Sequence, residues 1–366
     1  MNPLQNTYHG LLINNRIYPI DELSEYCQNK IQTLGVPEWE KNIYKFILDW
    51  LDDKDFIVQN SSGTTGIYKE LHLSKKSMIQ SAQHTCDLFD IQFGNSAAFC
   101  LPIEYIAGKM MVVRALVAGL NLLIIEPSSM PDLSGYGKID FCAMVPLQLY
   151  NSLNSVETIR NIKKLIVGGA EIRPELEVIL HDMPNEVYAT YGMAETCSHV
   201  AIRRLSGNKF ERYYSAMPGV SFNADDRNCL SIIADYLDKE VFTNDVVDLI
   251  DSRTFRWIGR YDNLINSGGV KIIPEEVETL ISKNTGLDCA LIGLPDEKLG
   301  QKLILVLEKG KSDITCDEIR NLLKDELPKH AQPKDIVIVE QLPRNSSFKV
   351  DRRKLTSQLM SSDRCS

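Results

Sequence analysis

Six consecutive residues, Ser61-Ser62-Gly63-Thr64-Thr65-Gly66, carry four hydroxyls and two glycines, and Lys69 follows closely. Glycines let the backbone turn its N–H groups toward an anion, hydroxyls add further donors, and a lysine supplies the charge that a polyphosphate needs. The segment therefore reads as a phosphate cradle, with a solvated Ser/Thr/Gly linker as the alternative when the hexamer is taken alone. It is not a Walker loop, because Gly-Lys-[Ser/Thr] does not follow at the required spacing.

The surrounding elements must hold such a loop. Ile43, Phe46, Ile47, Trp50 and Leu51 recur with helical period and predict a helix packed on a sheet. Phe56-Ile57-Val58 reads as a short buried strand entering the loop, with a helix expected after it. Apolar runs at Leu122–Ile125, Phe141–Val145 and Leu165–Val167, set between helical segments, predict a covered parallel sheet. From Arg260 onward the pattern changes. A helix start at Pro274, strands at Ala290–Gly293, Leu303–Leu307 and Ile336–Val339, and a capping-box helix at Thr315-x-x-Glu318 predict a compact α+β unit. The expected architecture is thus α/β: a large N-terminal domain (1–261) of mixed and parallel sheets flanked by helices, then a small mobile C-terminal domain (262–366).

Composition excludes several classes. A net charge of −9 provides no cationic field for nucleic acid or an acidic membrane, and no basic-aromatic patch is present. Nine cysteines, odd in number and without a Cys-x-x-Cys pair, predict neither a disulfide framework nor a zinc site and fit a reducing cytoplasm. The first residues lack a basic-then-apolar leader, and the most apolar segment, Met110 to Ile125, is interrupted by Arg114 and Asn121, so neither secretion nor a membrane span is expected.

Ser61–Gly66 resembles the phosphate loop of the acyl-CoA synthetase and luciferase-like adenylate-forming superfamily, with Tyr68 where that family has proline. Further segments match in the same order. Val167-Gly168-Gly169-Ala170-Glu171 resembles the turn that packs along adenine, and Tyr191-Gly192-Met193-Ala194-Glu195-Thr196 the segment whose tyrosine lies near the base and whose glutamate helps to hold Mg²⁺; Ala194 replaces the family's threonine. Phe242-Thr243-Asn244-Asp245 resembles Thr-Gly-Asp, whose aspartate accepts from both ribose hydroxyls. Read without the family, the first is a strand-end turn, Glu195 a surface carboxylate and the last an Asx-type turn. Gly259-Arg260-Tyr261-Asp262 and Ser267-Gly268-Gly269-Val270-Lys271 match most specifically, implying Arg260 as a nucleotide contact, Asp262 as a hinge, and Gly268-Gly269 as bare backbone beside a pantetheine arm. Pro343–Lys349 resembles the loop of the catalytic lysine, placing Lys349 in that role, with Phe348 in place of glycine.

The resemblance implies a reaction. A carboxylate attacks the α-phosphorus of ATP, Lys349 and a Glu195-held Mg²⁺ offset the repulsion of two anions, and after pyrophosphate leaves the small domain turns to admit the thiol of coenzyme A. Leu101–Lys109 resembles the family's acid-pocket segment, with Tyr105 at an aromatic position. Glu195-Thr196-Cys197-Ser198-His199 resembles Glu-Thr-x-Ser-Gln of o-succinylbenzoate–CoA ligases, the menaquinone-pathway branch. Lys109, Arg114, Ser198 and His199 are then candidates for a second carboxylate on a small-molecule acid; otherwise Lys109 and Arg114 are helix-surface charges and His199 a structural histidine. Loading of a carrier-protein thiol and a non-catalytic nucleotide-binding module are the alternatives. The family's region ahead of the phosphate loop is longer than the sixty residues here, which leaves pocket walls and the contacts of a homodimer open.

Overall fold

The computed structural model describes residues 10–62, 68–153, 156–309, 315–344 and 350–362. Gly63, Thr64, Thr65, Gly66, Phe348 and Lys349 lie outside them, as do the side chains of Ser61, Ser62 and Lys69.

The chain begins with the hairpin β1 (Gly10–Ile13) and β2 (Arg16–Pro19), then helices α1 (Ile20–Gln32) and α2 (Glu38–Leu51). α2 buries Ile43, Phe46, Ile47 and Trp50, the stripe expected from the period. The expected order of strand, loop and helix around the hydroxyl-rich segment is corrected. β3 (Phe56–Ser62) pairs antiparallel with β4 (Tyr68–Ser74), Ser61 opposite Lys69, and only then does α3 (Lys75–Leu88) start, with Ser74 as its N-cap. Leu71 and Leu73 alternate over too short a run to register as a strand; the pairing partner supplies what the local signal lacks. Ile57 and Leu73 are buried in the core while Val58 is exposed, so the ribbon buries one face only.

The parallel layer follows: β5 (Ser96–Phe99), α4 (Ile106–Ala118), β6 (Asn121–Ile124), β7 (Ile139–Met144), α5 (Pro146–Ser152), α6 (Val156–Arg160), β8 (Ile162–Val167), α7 (Pro174–His181) and β9 (Glu186–Gly192). The sheet then reverses. β10 (His199–Arg204) runs antiparallel to β9, and β11 (Tyr214–Ala216), β12 (Val220–Ala224), β13 (Cys229–Ala234), β14 (Val241–Asp251) and β15 (Thr254–Arg260) continue antiparallel. The result is one 13-stranded sheet in the order β12-β13-β14-β15-β11-β10-β9-β8-β7-β5-β6-β1-β2. The expected parallel sheet is therefore one limb of a mixed one.

A second sheet holds β16 (Ile265–Ser267), β17 (Val270–Ile272), β18 (Cys289–Asp296), β19 (Gly300–Glu308) and β20 (Asp335–Val339), with α8 (Pro274–Thr285), α9 (Cys316–Glu326) and α10 (Arg352–Ser362) on its faces. Proline opens α8, and α9 carries the full Thr315/Glu318 capping box.

α4 is apolar on every side and is buried between the sheet and α3; Met110 to Val117 are all buried, Arg114 among them. In the antiparallel limb, Phe255 is fully buried against Tyr214, Phe222 and Tyr191 at ring separations of 5.4, 5.0 and 5.1 Å. Truncating it leaves a ring-sized cavity beneath Tyr191. Phe255→Ala is expected to cost ~3–5 kcal/mol in urea unfolding; a loss below ~1 kcal/mol would show that this aromatic cluster does not support the sheet.

Candidate active site

Residues with reactive chemistry collect at the carboxyl ends of the parallel strands, where an open α/β sheet leaves a crevice. Gly169, Ala170 and Glu171 follow β8, Met193 to Ser198 follow β9, and Tyr105 to Arg114 follow β5. The turn after β9 doubles back at once into β10. That return requires a glycine, since a Cβ at Gly192 would stand 2.3 Å from the Ser198 carbonyl oxygen. The fully buried Thr196 spends its hydroxyl inside the turn, meeting Met193 and donating to the Ser198 carbonyl at 2.7 Å. Gly168 is held by a similar crowding, with Thr190 Oγ1 2.1 Å from where a Cβ would be.

One group of side chains surrounds Asp245, which is only 5 % exposed. Tyr191 Oη donates to it at 2.6 Å and Trp257 Nε1 at 3.2 Å, and Arg260 lies 3.6 Å away. Burial, and then the Asp245 charge, push the Tyr191 phenol well above its usual range, so it stays a donor. A carboxylate has about four acceptor sites, so Asp245 can still take further hydroxyl donors. Asp245 sits within strand β14, and the Asx-type turn considered for it is not formed. Arg260 also reaches Asp262 at 3.1 Å, and Asn244 Nδ2 donates to both oxygens of Asp262 at 3.2 and 3.3 Å. Asp262 lies in the single helical turn that joins β15, the end of the large sheet's chain, to β16.

A second group surrounds Arg114, which is 2 % exposed and so is not a helix-surface charge. Its Nη2 donates to Ser198 Oγ at 2.7 Å and approaches His199 Nδ1 at 3.5 Å; Nε has no partner among the described residues. A guanidinium can only donate, so Nδ1 must accept and the imidazole proton resides on Nε2, 3.4 Å from Thr85 Oγ1. Burial and the neighbouring guanidinium hold His199 well below its usual value, hence neutral. Burial lowers Arg114 only to about 10, leaving it charged at neutral pH. No carboxylate pairs with it among the described residues.

Other expected site residues stand apart. Lys109 donates to the Val58 carbonyl at 2.9 Å and lies against Phe46. Tyr105, the residue before α4, is 47 % exposed. Glu195 is half-buried, and its carboxylate makes no hydrogen bond or ion pair among the described residues. Gly268 and Gly269 occupy left-handed backbone at φ +61° and +84°, which suits glycine alone. Trp257, Thr85 and Asn244 were not anticipated; their roles come from strand pairing and helix packing that no local spacing announces.

The AMP-binding enzyme family matches residues 25–224, and the AMP-binding enzyme C-terminal domain matches residues 276–349. The chain belongs to the AMP-binding enzyme family. Among similar members of known name, the 2-succinylbenzoate–CoA ligase of Lactococcus lactis is 23% identical, over 93% of this chain and 79% of its own length. The probable 2-succinylbenzoate–CoA ligase of Mycobacterium tuberculosis is 28% identical, over 83% of this chain and 85% of its own. Among solved structures, an acyl-CoA synthetase (AMP-forming)/AMP-acid ligase II-like protein from Dyadobacter fermentans shares 32% identity, with TM-score 0.59, over 92% of this chain and 98% of that one. The o-succinylbenzoate CoA synthetase of Bacillus subtilis, solved with its acyl-adenylate, shares the fold at TM-score 0.70 and 20% identity, over 81% of this chain and 68% of that one.

In this AMP-binding enzyme the turn after β8 faces charge from the second sheet. Glu171 keeps access to water, yet protein crowds its carboxyl; that crowding, with Glu278 and Glu275 nearby, raises it from 4.5 to about 7. Arg352, paired with Glu278 at 2.7 Å, opposes the shift, and Arg173 bridges to Asp288 at 2.9 Å. A carboxyl that holds its proton longer when folded adds stability below about pH 4.5 that is lost as pH rises through about 7. Raising the pH from 5 to 8 should therefore lower the unfolding midpoint of the native protein relative to Glu171→Gln, and parallel profiles would contradict the assignment.

Proposed function

We propose that this protein is an AMP-forming acid–thiol ligase that converts 2-succinylbenzoate, with ATP, to its acyl-adenylate and passes the acyl group to coenzyme A. Family membership supports the adenylating chemistry. The choice of acid rests on one observation, the buried Arg114 cation with no carboxylate partner among the described residues, beside Ser198 and a neutral His199. Burying a charge without its counter-ion costs several kcal/mol, so the site favours an acid whose second carboxylate completes the pair. The relatives named 2-succinylbenzoate–CoA ligase agree with that reading.

Adenine packs along Gly169, Ala170 and Glu171, near Tyr191, and Asp245 accepts from the ribose hydroxyls while Tyr191 and Trp257 hold its carboxylate in place. Arg260 directs its charge toward the sugar and phosphate. Ser61 to Gly66 and Lys69 hold the polyphosphate, and Lys349 brings a cation to the attacking and leaving oxygens, where charge stabilisation and positioning carry most of phosphoryl transfer. Among the described residues no group of three or more ligating side chains exists, and Glu195 is half-buried without a partner. Glu195 would hold a Mg²⁺ together with the substrate, and the ion would supply positive charge against the phosphates.

The domains divide at 261/262. Rotation about Asp262 must first break its contacts with Arg260 and Asn244, then exchanges Lys349 for the Gly268-Gly269 hairpin at the adenylate. Lys109, tied to Val58, positions the β3–β4 ribbon against α4, and Tyr105 stands at the rim of the acid's entrance.

An ATP-dependent CoA-consumption assay across 2-succinylbenzoate, benzoate and medium-chain fatty acids tests this reading. 2-Succinylbenzoate should be used with the highest kcat/KM, and Lys349→Ala should lower acid-dependent ATP–pyrophosphate exchange by ~10²-fold or more. Preference for a fatty acid would overturn the substrate, and absence of exchange with every acid would leave a nucleotide-binding module.

A further inference from the structure

α3 presents a polar stripe, the buried Ser77, Ser81 and Thr85 with the half-buried His84, at the i, i+4, i+7, i+8 positions where apolar residues would serve a core helix. Two of its members are accounted for. Ser77 donates to the Tyr236 carbonyl at 2.6 Å, and Thr85 contacts His199 and the Ser81 carbonyl. The rest are not. Tyr236, following β13, is only 4 % exposed, and its hydroxyl lies beside Ser81 without completing a hydrogen bond. The ring of His84 meets it edge-on at 5.7 Å, and the buried His84 Nδ1 has no partner either. Arg114 Nε is a third unpartnered polar atom in the same layer, linked to this pair through His199 and Thr85.

An unsatisfied buried donor costs ~1–3 kcal/mol, and most native cores keep very few. Three such atoms, on α3, on α4 and on the segment that follows β13, are joined by the contacts of His84 with Tyr236, Thr85 with His199 and His199 with Arg114. A phenol that burial pushes far above its usual range remains a donor. The layer thus offers donors to a guest that brings acceptors.

We infer that Tyr236, with His84 beside it, is a specificity-determining contact that donates a hydrogen bond to the remote carboxylate of the acid, extending the recognition begun by Arg114 and Ser198. This rests on the dicarboxylic-acid reading above and adds two residues that no motif in the sequence marks.

Steady-state kinetics of the full chain with 2-succinylbenzoate and with benzoate tests it. In Tyr236→Phe, KM for 2-succinylbenzoate should rise about tenfold, the worth of a lost hydrogen bond to a charged group, while KM for benzoate and for ATP and kcat for both acids stay within about twofold. A structural role would move both acids together. An equal rise for both acids, or no change for either, overturns the inference. His84→Gln is read in the same assay and should raise KM selectively for 2-succinylbenzoate; if Tyr236→Phe does not fold, this variant decides. A native enzyme indifferent to the remote carboxylate would sink the dicarboxylate reading and this inference together, whereas a discriminating native enzyme with unaltered variants would sink this inference alone.

Discussion

A guanidinium enclosed by protein without a carboxylate is among the costlier groups a fold can carry, and the architecture around Arg114 exists to carry one. α4 could have been uniformly apolar. Instead its centre holds a permanent cation whose only described partners are neutral: a serine hydroxyl, a methionine sulfur and an imidazole kept neutral by the same burial. Neutral acceptors soften the charge without cancelling it. What remains is a standing attraction for an anion in a place that water scarcely reaches, and the proposed function assigns that place to the second carboxylate of the acid.

The sheet makes this affordable by changing direction at one strand. From β5 to β9 the chain builds parallel strands whose carboxyl ends leave loops free; from β10 it builds an antiparallel limb whose strands support one another. The junction puts Tyr191 and Ser198-His199 on consecutive turns of chain. In the proposed function, one side of the junction serves the nucleotide through Asp245 and the other the acid through Arg114. Gly192 lets the two approach, because any side chain there would collide with the returning backbone. The proposed rotation at Asp262 adds a third requirement, met by contacts exposed enough to be remade.

Much of this was legible in residue order. The Pro274 helix start, the Thr315 capping box and strands β18, β19 and β20 follow from local chemistry, and the structure forms them where the pattern places them; β16 and β17 carry no such local signal. Local chemistry could not show that Tyr68–Ser74 is a strand, since its stability comes from β3 across the ribbon. It could not separate Arg114 from Lys109 either. Both lie on α4, but one is enclosed by α3 and β10 while the other turns to the Val58 carbonyl, a distinction made only by packing. Trp257 was silent for a related reason: a register shift in the β14–β15 pairing, invisible in one strand's sequence, brings its indole to Asp245.

The central claim, that an uncompensated buried cation selects the acid, is open to direct measurement by calorimetric titration of the native protein and Arg114→Gln with 2-succinylbenzoate and with benzoate, ATP analogue present. The native protein should bind 2-succinylbenzoate more tightly by ~30-fold or more, the scale set by a buried charge pair of ~2–5 kcal/mol, and the variant should bind both acids alike. Retention of the full preference by Arg114→Gln would contradict the account.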